Sequence, residues 1–140
     1  MSIGVAVLGC GTIGSSVANM LLHESAHLLA RSGQTLTLRS VVERDIAKAK
    51  AAGIPAKLIT SNYDHALQDP ETHIIVELIG GLEPARTFVL KALAAGKHVV
   101  TANKYLLAVH GKEILAAAKK ANRAVAFEAS CGGTIPIILA

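Results

Sequence analysis

With 140 residues, of which 51% are hydrophobic and only 3% aromatic, the chain is long enough for one domain with an aliphatic core, the usual filling of a parallel sheet. The composition excludes a disordered chain. The net charge of +4 arises from scattered Lys and Arg residues without interleaved aromatic residues, so we expect a solvated surface and no nucleic-acid partner.

The first half of the chain alternates strands with helices. The predicted elements are strands over residues 3–8, 35–42 and 58–60 and helices over residues 12–31, 45–52 and 63–68. One apolar face of the first helix is expected to carry Ile13, Val17, Met20, Leu21 and Leu28.

The second half repeats this alternation. Strands are predicted over residues 74–79, 98–101 and 124–129, and helices over residues 84–95 and 103–122, the latter as one helix or a pair. Repeated β–α units indicate an α/β fold of the Rossmann type, with a doubly wound, mostly parallel sheet and helices on both faces. We assign residues 1–130 to this dinucleotide-binding domain. We interpret residues 131–140, which end in an apolar run, as the start of a connection to a substrate or dimerisation domain outside this chain.

A G-x-G-x-x-G motif lies between the first strand and the first helix. Its glycines, Gly9, Gly11 and Gly14, suit a tight turn, the close approach of a pyrophosphate and the packing of the helix on the strand, respectively. The N–H groups of Thr12 and Ile13 are expected to face the phosphates. Because the motif follows a strand and opens an amphipathic helix, it predicts a dinucleotide site.

The end of the second strand carries the residues expected to contact the adenosine ribose. Glu43 suits the ribose 2′-hydroxyl of NAD, whereas Arg44 suits the 2′-phosphate of NADP. Both residues are present, so this pattern leaves the choice of cofactor open.

Residues 23–27 (HESAH) match the H-E-x-x-H spacing of zinc metalloproteases. The helix that carries them is the one opened by the glycine loop, and they lie toward its far end, away from the strand ends where ligands bind. We therefore interpret His23 and His27 as surface or subunit-contact residues.

Three later segments converge on the C-terminal edge of the predicted sheet. They are residues 76–81 (VELIGG), 101–104 (TANK) and 127–136 (FEASCGGTIP). Together with the glycine loop, and in this order, they resemble the homoserine dehydrogenase family over essentially the whole chain. The resemblance implies an NAD(P)-dependent oxidoreductase that interconverts the small molecules L-homoserine and L-aspartate 4-semialdehyde in threonine, methionine and isoleucine biosynthesis. We expect the parent protein to be a homo-oligomer.

The resemblance also implies roles for individual residues. Lys104 would be catalytic and contact both cofactor and substrate, while Ile79 and Gly80 would border the nicotinamide half. Arg44 matches the family's usual arginine, which slightly favours NADP over NAD. A monovalent cation, Na or K, would be held by backbone carbonyls of Glu128, Cys131, Gly133 and Ile135. A second catalytic lysine and the acidic substrate-binding residues of the family lie beyond this chain.

Two other functions stay open at this point: a non-catalytic NAD(H)-sensing module that regulates a partner, and another oxidoreductase of aspartate-derived aldehydes or imines. A sensor needs neither the lysine of TANK nor the Glu128 loop. No apolar run reaches the ~18 residues that span a bilayer, and the N-terminus lacks the basic segment of a signal peptide. We therefore expect a cytoplasmic protein without a membrane partner.

Overall fold

A single sheet of six strands organises the part of the chain that the structure, a computed structural model, describes: residues 2–131. The strands are β1 (Ser2–Leu8), β2 (Thr35–Val42), β3 (Ile59–Thr60), β4 (Thr72–Glu77), β5 (His98–Thr101) and β6 (Val125–Ala126). The helices are α1 (Thr12–His23), α2 (Ser25–Ser32), α3 (Ile46–Ala51), α4 (Tyr63–Gln68), α5 (Ala85–Ala94) and α6 (Lys104–Ala121), with 3₁₀ turns at Ala56–Leu58 and Glu128–Ser130. None of these helices is both long and apolar enough to cross a membrane.

The strand order is β3-β2-β1-β4-β5-β6, and every pairing is parallel. The chain starts in the middle of the sheet, builds one half through β3, and then crosses over to build the other half from β4. The switch point therefore lies between β1 and β4, where doubly wound sheets bind their ligands at the carboxyl ends of the strands.

Side chains from the two faces of the sheet build two aliphatic clusters. Along β1, Ala6 and Leu8 belong to a cluster with residues of α4, α5 and α6, whereas Val5 and Val7 belong to a cluster with residues of α1 and α3. Burial on both faces explains the near-continuous apolar runs of the strands. The predicted α/β fold of the Rossmann type is confirmed.

The prediction of one helix over residues 12–31 is wrong, because this segment forms two helices, α1 and α2. Glu24, with φ −115° and ψ 30°, interrupts the helical geometry between α1 and α2. The expected apolar face is also partly wrong, since Ile13 and Met20 are 59% and 42% exposed. Glu is a good helix former, so the local sequence contains no signal for the break. Tertiary contacts between α2 and β2 accompany it.

Two strands end earlier than predicted. β4 stops at Glu77, because the Glu77 carboxylate accepts hydrogen bonds from the Ile79 and Gly80 amides and the chain bends around it. β6 contains only Val125–Ala126, since the chain then turns into the 3₁₀ helix at Glu128–Ser130. The last predicted helical stretch is one helix, α6.

Candidate cofactor-binding site

The glycine loop joins β1 to α1 at the switch point of the sheet. Gly9 has a φ of +91°, which L side chains rarely adopt, and a Cβ there would lie 2.9 Å from the Leu78 carbonyl oxygen. A Cβ on Gly14 would overlap the Gly9 carbonyl oxygen, so α1 packs directly on the loop. A Cβ on Gly11 would instead enter open space. Gly9 and Gly14 therefore allow close contact between backbone segments, whereas Gly11 leaves open space beside the start of α1.

The start of α1 presents backbone amides to this open space. Gly11 is the N-cap residue, and its carbonyl accepts the Ser15 amide at 2.9 Å. The amides of Thr12, Ile13 and Gly14 precede this first helical hydrogen bond and have no acceptor within the helix. Together with the helix dipole, they make this end of α1 attractive to anions such as phosphate.

Glu43, directly after β2, ties the glycine loop to the next strand end. Its carboxylate accepts the Cys10 amide at 2.8 Å and the Asp45 amide at 3.2 Å. Burial by itself would raise the pKa of Glu43, but these hydrogen bonds and the Lys48 ammonium group outweigh it and lower the pKa. Glu43 therefore orients the loop, a role that the sequence analysis missed.

Cys10 lies between the first two glycines of the motif, and its side chain is buried in the core beneath the loop. Burial, followed by the charge of Glu43, raises the pKa of the Cys10 thiol, although Lys48 acts in the opposite direction.

A cleft of about 390 Å³ opens beside the glycine loop, between the ends of β2 and β4. Five of the predicted cofactor residues line it, namely Gly9, Gly11, Glu43, Arg44 and Ile79. Arg44 and Lys48 line the same cleft with exposed side chains, and neither forms an ion pair with any residue of the described part of the chain. The cleft thus offers two unpaired cations beside the amides of α1.

The far wall of this cleft contains an aromatic pair. The rings of Tyr63 and Phe88 stack with their centroids 4.0 Å apart, and the Tyr63 hydroxyl donates to the Phe88 carbonyl at 2.6 Å. Burial, and secondarily the charge of Asp64, raises the pKa of Tyr63 well above its ordinary value. No role was predicted from the sequence for this pair or for Lys48.

A buried hydrogen-bond network joins the ends of β4 and β5. One oxygen of the fully buried Glu77 carboxylate accepts the amides of Ile79 at 2.9 Å and Gly80 at 3.2 Å, and the other accepts the Thr101 hydroxyl at 2.6 Å. The Thr101 oxygen in turn accepts the Asn103 amide at 3.0 Å. The network was not predicted: the sequence shows an acidic residue at the end of an apolar strand, but not that Glu77 pairs with Thr101 on the next strand.

Asn103 continues this network to the start of α6. Its side-chain oxygen caps the helix by accepting the Leu106 amide at 3.1 Å, and its Nδ2 donates to the Gly81 carbonyl at 2.7 Å. Lys104 is the first residue of the helix, with an exposed side chain.

Lys104 lies on the sheet edge where it was expected, but not in the lining of the glycine-loop cleft. It lines a second, largely apolar cleft of about 350 Å³ between α6 and the turn after β6, together with Phe127, Ser130 and Cys131. Ser130 fixes that turn by donating from its hydroxyl to the Thr101 carbonyl at 2.8 Å.

Comparison with known proteins identifies the family. A family model described as the NAD-binding domain of homoserine dehydrogenase matches residues 9–128. The chain belongs to the homoserine dehydrogenase family. It is 37% identical to the homoserine dehydrogenase of Bacillus subtilis over 98% of its length, and 40% identical to that of Mycobacterium tuberculosis over 97%. The crystal structure of a homoserine dehydrogenase from Thiobacillus denitrificans matches 98% of the chain with a TM-score of 0.89 and 44% identity.

The chain spans about a third of these relatives: 32% of the Bacillus protein, 30% of the Mycobacterium protein and 32% of the Thiobacillus chain. What the family match covers is thus the NAD-binding domain of a homoserine dehydrogenase. The resemblance drawn from the four motifs is confirmed, and with it the prediction of a nicotinamide cofactor.

The cation loop that the homoserine dehydrogenase resemblance implies lies partly outside the described residues. Glu128 and Cys131 are described, and the Glu128 carbonyl accepts the Cys131 amide at 3.0 Å. Gly133 and Ile135 lie beyond residue 131. Over residues 2–131, no group of three or more His, Cys, Asp or Glu side chains is placed to hold a metal ion.

The zinc-protease spacing is interrupted by the break between α1 and α2. His23 ends α1, His27 lies in α2, and both side chains are exposed. Two zinc ligands four residues apart need one continuous helix to share a face. The interpretation of these histidines as surface residues agrees with this geometry.

Proposed function

We propose that the chain holds NAD(P) in the glycine-loop cleft, and that the complete protein transfers hydride between L-homoserine and L-aspartate 4-semialdehyde. The observation that carries the proposal is the start of α1, where backbone amides and the open position at Gly11 adjoin a cleft that also contains Arg44 and Lys48. In this proposal residues 1–130 bind the cofactor, and residues 131–140 begin the connection to the substrate domain.

Different groups of the cleft are proposed to bind different parts of the cofactor. The amides of Thr12, Ile13 and Gly14 suit the pyrophosphate, because phosphate oxygens can take the hydrogen bonds that the helix leaves unmade. The Ile79–Gly80 turn suits the nicotinamide half, since Ile79 lines the cleft at the end of β4.

Lys104 is the proposed catalytic residue. Reducing the aldehyde adds a hydride to its carbonyl carbon and a proton to its oxygen, and the nicotinamide supplies the hydride when it is bound. Negative charge develops on that oxygen during the transfer, and a nearby ammonium group both stabilises the charge and can donate the proton. Lys104 carries such a group, exposed at the helix start that Asn103 caps.

A slight preference for NADP over NAD is the finer part of the proposal. Both oxygens of Glu43 already accept backbone amides, whereas the exposed Arg44 guanidinium forms no ion pair within residues 2–131. A guanidinium group suits the 2′-phosphate that only NADP has. The charge of Glu43 beside it would moderate the preference.

A structural Na or K ion also belongs to the proposal, on the family resemblance. The Glu128 carbonyl lies in the turn after β6, where it accepts the Cys131 amide, and a carbonyl oxygen is the kind of hard ligand that such an ion prefers. If the ion is bound, replacing potassium and sodium salts by choline chloride should lower the Tm, and an unchanged Tm would remove the ion from the proposal.

A pair of glycine variants tests the proposed cofactor site. Gly11→Ala should fold with an unchanged Tm, because its Cβ meets nothing within 4 Å, yet lose most affinity for NAD(P)H, because that space is assigned to the pyrophosphate. Gly14→Ala should lose stability as well, since its Cβ overlaps the Gly9 carbonyl. Thermal unfolding and fluorescence titration with NADPH and NADH measure both effects. Parental affinity in Gly11→Ala would disprove this location.

A further inference from the structure

Glu77 lies at the middle of the sheet's C-terminal edge, because β4 is flanked by β1 and β5. Its side chain is fully buried, and a carboxylate is tolerated there only if its oxygens accept hydrogen bonds. The three donors that it accepts come from two different segments of the chain: the turn at Ile79 and Gly80, and the end of β5 at Thr101.

The hydrogen bonds form a closed circuit between these segments. From Glu77 the circuit passes through the Gly80 amide into the turn, where the Gly81 carbonyl accepts from Asn103. It returns from the Asn103 amide to the Thr101 hydroxyl and from there to Glu77. Because the circuit is closed and its three side chains, those of Glu77, Thr101 and Asn103, are buried, the turn and the start of α6 are held at a fixed separation.

The circuit lies between the glycine-loop cleft and the apolar cleft beside α6. On one side, Ile79 lines the glycine-loop cleft, and on the other, Lys104 lines the apolar cleft beside α6. Lys104 follows directly after Asn103, whose side chain caps the helix. The position of the Lys104 backbone therefore depends on the same bonds that shape the Ile79–Gly80 turn.

We propose that Glu77, acting through Thr101 and Asn103, is a positioning residue that aligns Lys104 with the nicotinamide end of the cofactor cleft. The inference rests on the proposed function of the chain. Glu77 does not reach the substrate, because it is fully buried. Its effect is to set the distance between the turn and the ammonium group, and hydride transfer is sensitive to misplacements of about 1 Å.

The pair Thr101→Val and Thr101→Ser tests the alignment in a homoserine dehydrogenase that carries this chain. Valine removes the hydroxyl with little change in volume, so kcat should fall ~10-fold or more while the KM values for NADPH and homoserine change less than ~3-fold. Serine keeps the hydroxyl and should retain most of the parental kcat. Glu77→Gln should also lower kcat, because an amide nitrogen in place of the carboxylate oxygen cannot accept the Thr101 hydroxyl. The losses of Glu77→Gln and Thr101→Val should not add up in the double variant, because both changes act on one contact.

Thr72→Val is the matched control. Thr72 is also buried on β4, and its hydroxyl also donates to a carboxylate, that of Asp69, but at the opposite end of the strand. This variant should lower the Tm to a similar extent and keep the parental kcat.

Three results would overturn the positioning role: a parental kcat in Thr101→Val, a serine variant as slow as the valine variant, or an equal loss of kcat in Thr72→Val. If Glu77→Gln does not fold, the Thr101 variants decide. Failure of the proposed function is distinguishable, because the parental enzyme itself would then neither bind NADPH nor oxidise homoserine.

Discussion

At the level of single residues, Glu43 and Arg44 lie together in the part of the cleft that is proposed to hold the adenosine ribose. Replacing Arg44 by Ala is expected to weaken NADP binding by about 1.5–3 kcal/mol and to leave NAD binding nearly unchanged, because only NADP has the charge that the guanidinium would contact. Calorimetric titration of both cofactors measures the difference. Arg31→Ala, an exposed change at the end of α2, should affect neither. Equal losses for NADP and NAD in Arg44→Ala would show that Arg44 does not read the phosphate.

Lys104 is the residue on which the chemistry of the complete enzyme should depend. Lys104→Ala is expected to lower kcat by ~10²-fold or more, because the charge that forms on the aldehyde oxygen would lose its stabilising ammonium group. The Tm should barely change, since the side chain is exposed. Steady-state assays and thermal unfolding check both expectations. Lys112→Ala, an exposed lysine on the same helix, is the control, and a Lys104→Ala variant that keeps half of parental kcat/KM would contradict the assignment.

Spacing alone could place Gly9, Gly11 and Gly14, because the motif encodes all three: Gly9 and Gly14 meet local requirements of the backbone, and Gly11 leaves the space beside the helix open. The sequence places Glu77 near the end of a strand, but it does not predict the hydrogen bonds that its carboxylate accepts. Its partner Thr101 lies on another strand, and their contact depends on the register between β4 and β5, which pairs the two residues directly. Register follows from packing of the whole sheet, and one sequence does not display it.

At the level of elements, Asp69 links β2 to β4 at the edge of the sheet opposite the glycine-loop cleft. Its carboxylate accepts Arg39 Nε at 3.0 Å, the Glu71 amide at 2.9 Å and the Thr72 hydroxyl at 3.1 Å. Burial by itself would raise the pKa of Asp69, but these partners, with the Arg39 hydrogen bond foremost, outweigh it and lower the pKa below the ordinary 3.8.

This lowered pKa predicts the acid side of the stability profile. Because the folded pKa of Asp69 lies below the unfolded one, its stabilisation is present above the unfolded pKa and is lost as the pH falls through the folded pKa. The free energy of unfolding should therefore decline between about pH 5 and pH 3, and Asp69→Asn should decline less. Urea unfolding at several pH values measures the slopes. Glu71→Gln, an exposed change nearby, should keep the parental slope, whereas equal slopes in the parent and Asp69→Asn would refute the link.

The order of elements was predictable because alternating β and α units permit few arrangements. The break at Glu24 and the two-residue length of β6 were not, because both depend on contacts outside their own segment. β6 gives way to a turn that Ser130 anchors on the Thr101 carbonyl. Ser130 and Thr101 lie 29 residues apart, and the hydrophobic pattern of the sequence does not indicate that their polar groups meet.

At the level of the whole molecule, the chain matches the NAD-binding domain of the family but spans only about a third of the length of its relatives. We expect residues 1–140 alone to bind NAD(P)H weakly and to show no homoserine oxidation, because the proposed substrate domain and second lysine are absent. Fluorescence titration and a turnover assay on the same sample test both statements. Homoserine-dependent turnover by the chain alone would disprove the assignment of residues 131–140 to a connection.

The burial of Cys10 affects how readily the glycine loop can be chemically modified. Oxidants and alkylating agents attack the thiolate and not the thiol, so a cysteine among the glycines of this loop would ordinarily be vulnerable to them. Here the raised pKa keeps the sulfur protonated, and the loop itself shields it from reagents. The more accessible Cys131, beside Lys104 in the apolar cleft, would react first. Oxidation should therefore modify Cys131, after β6, before it modifies Cys10 in the glycine loop.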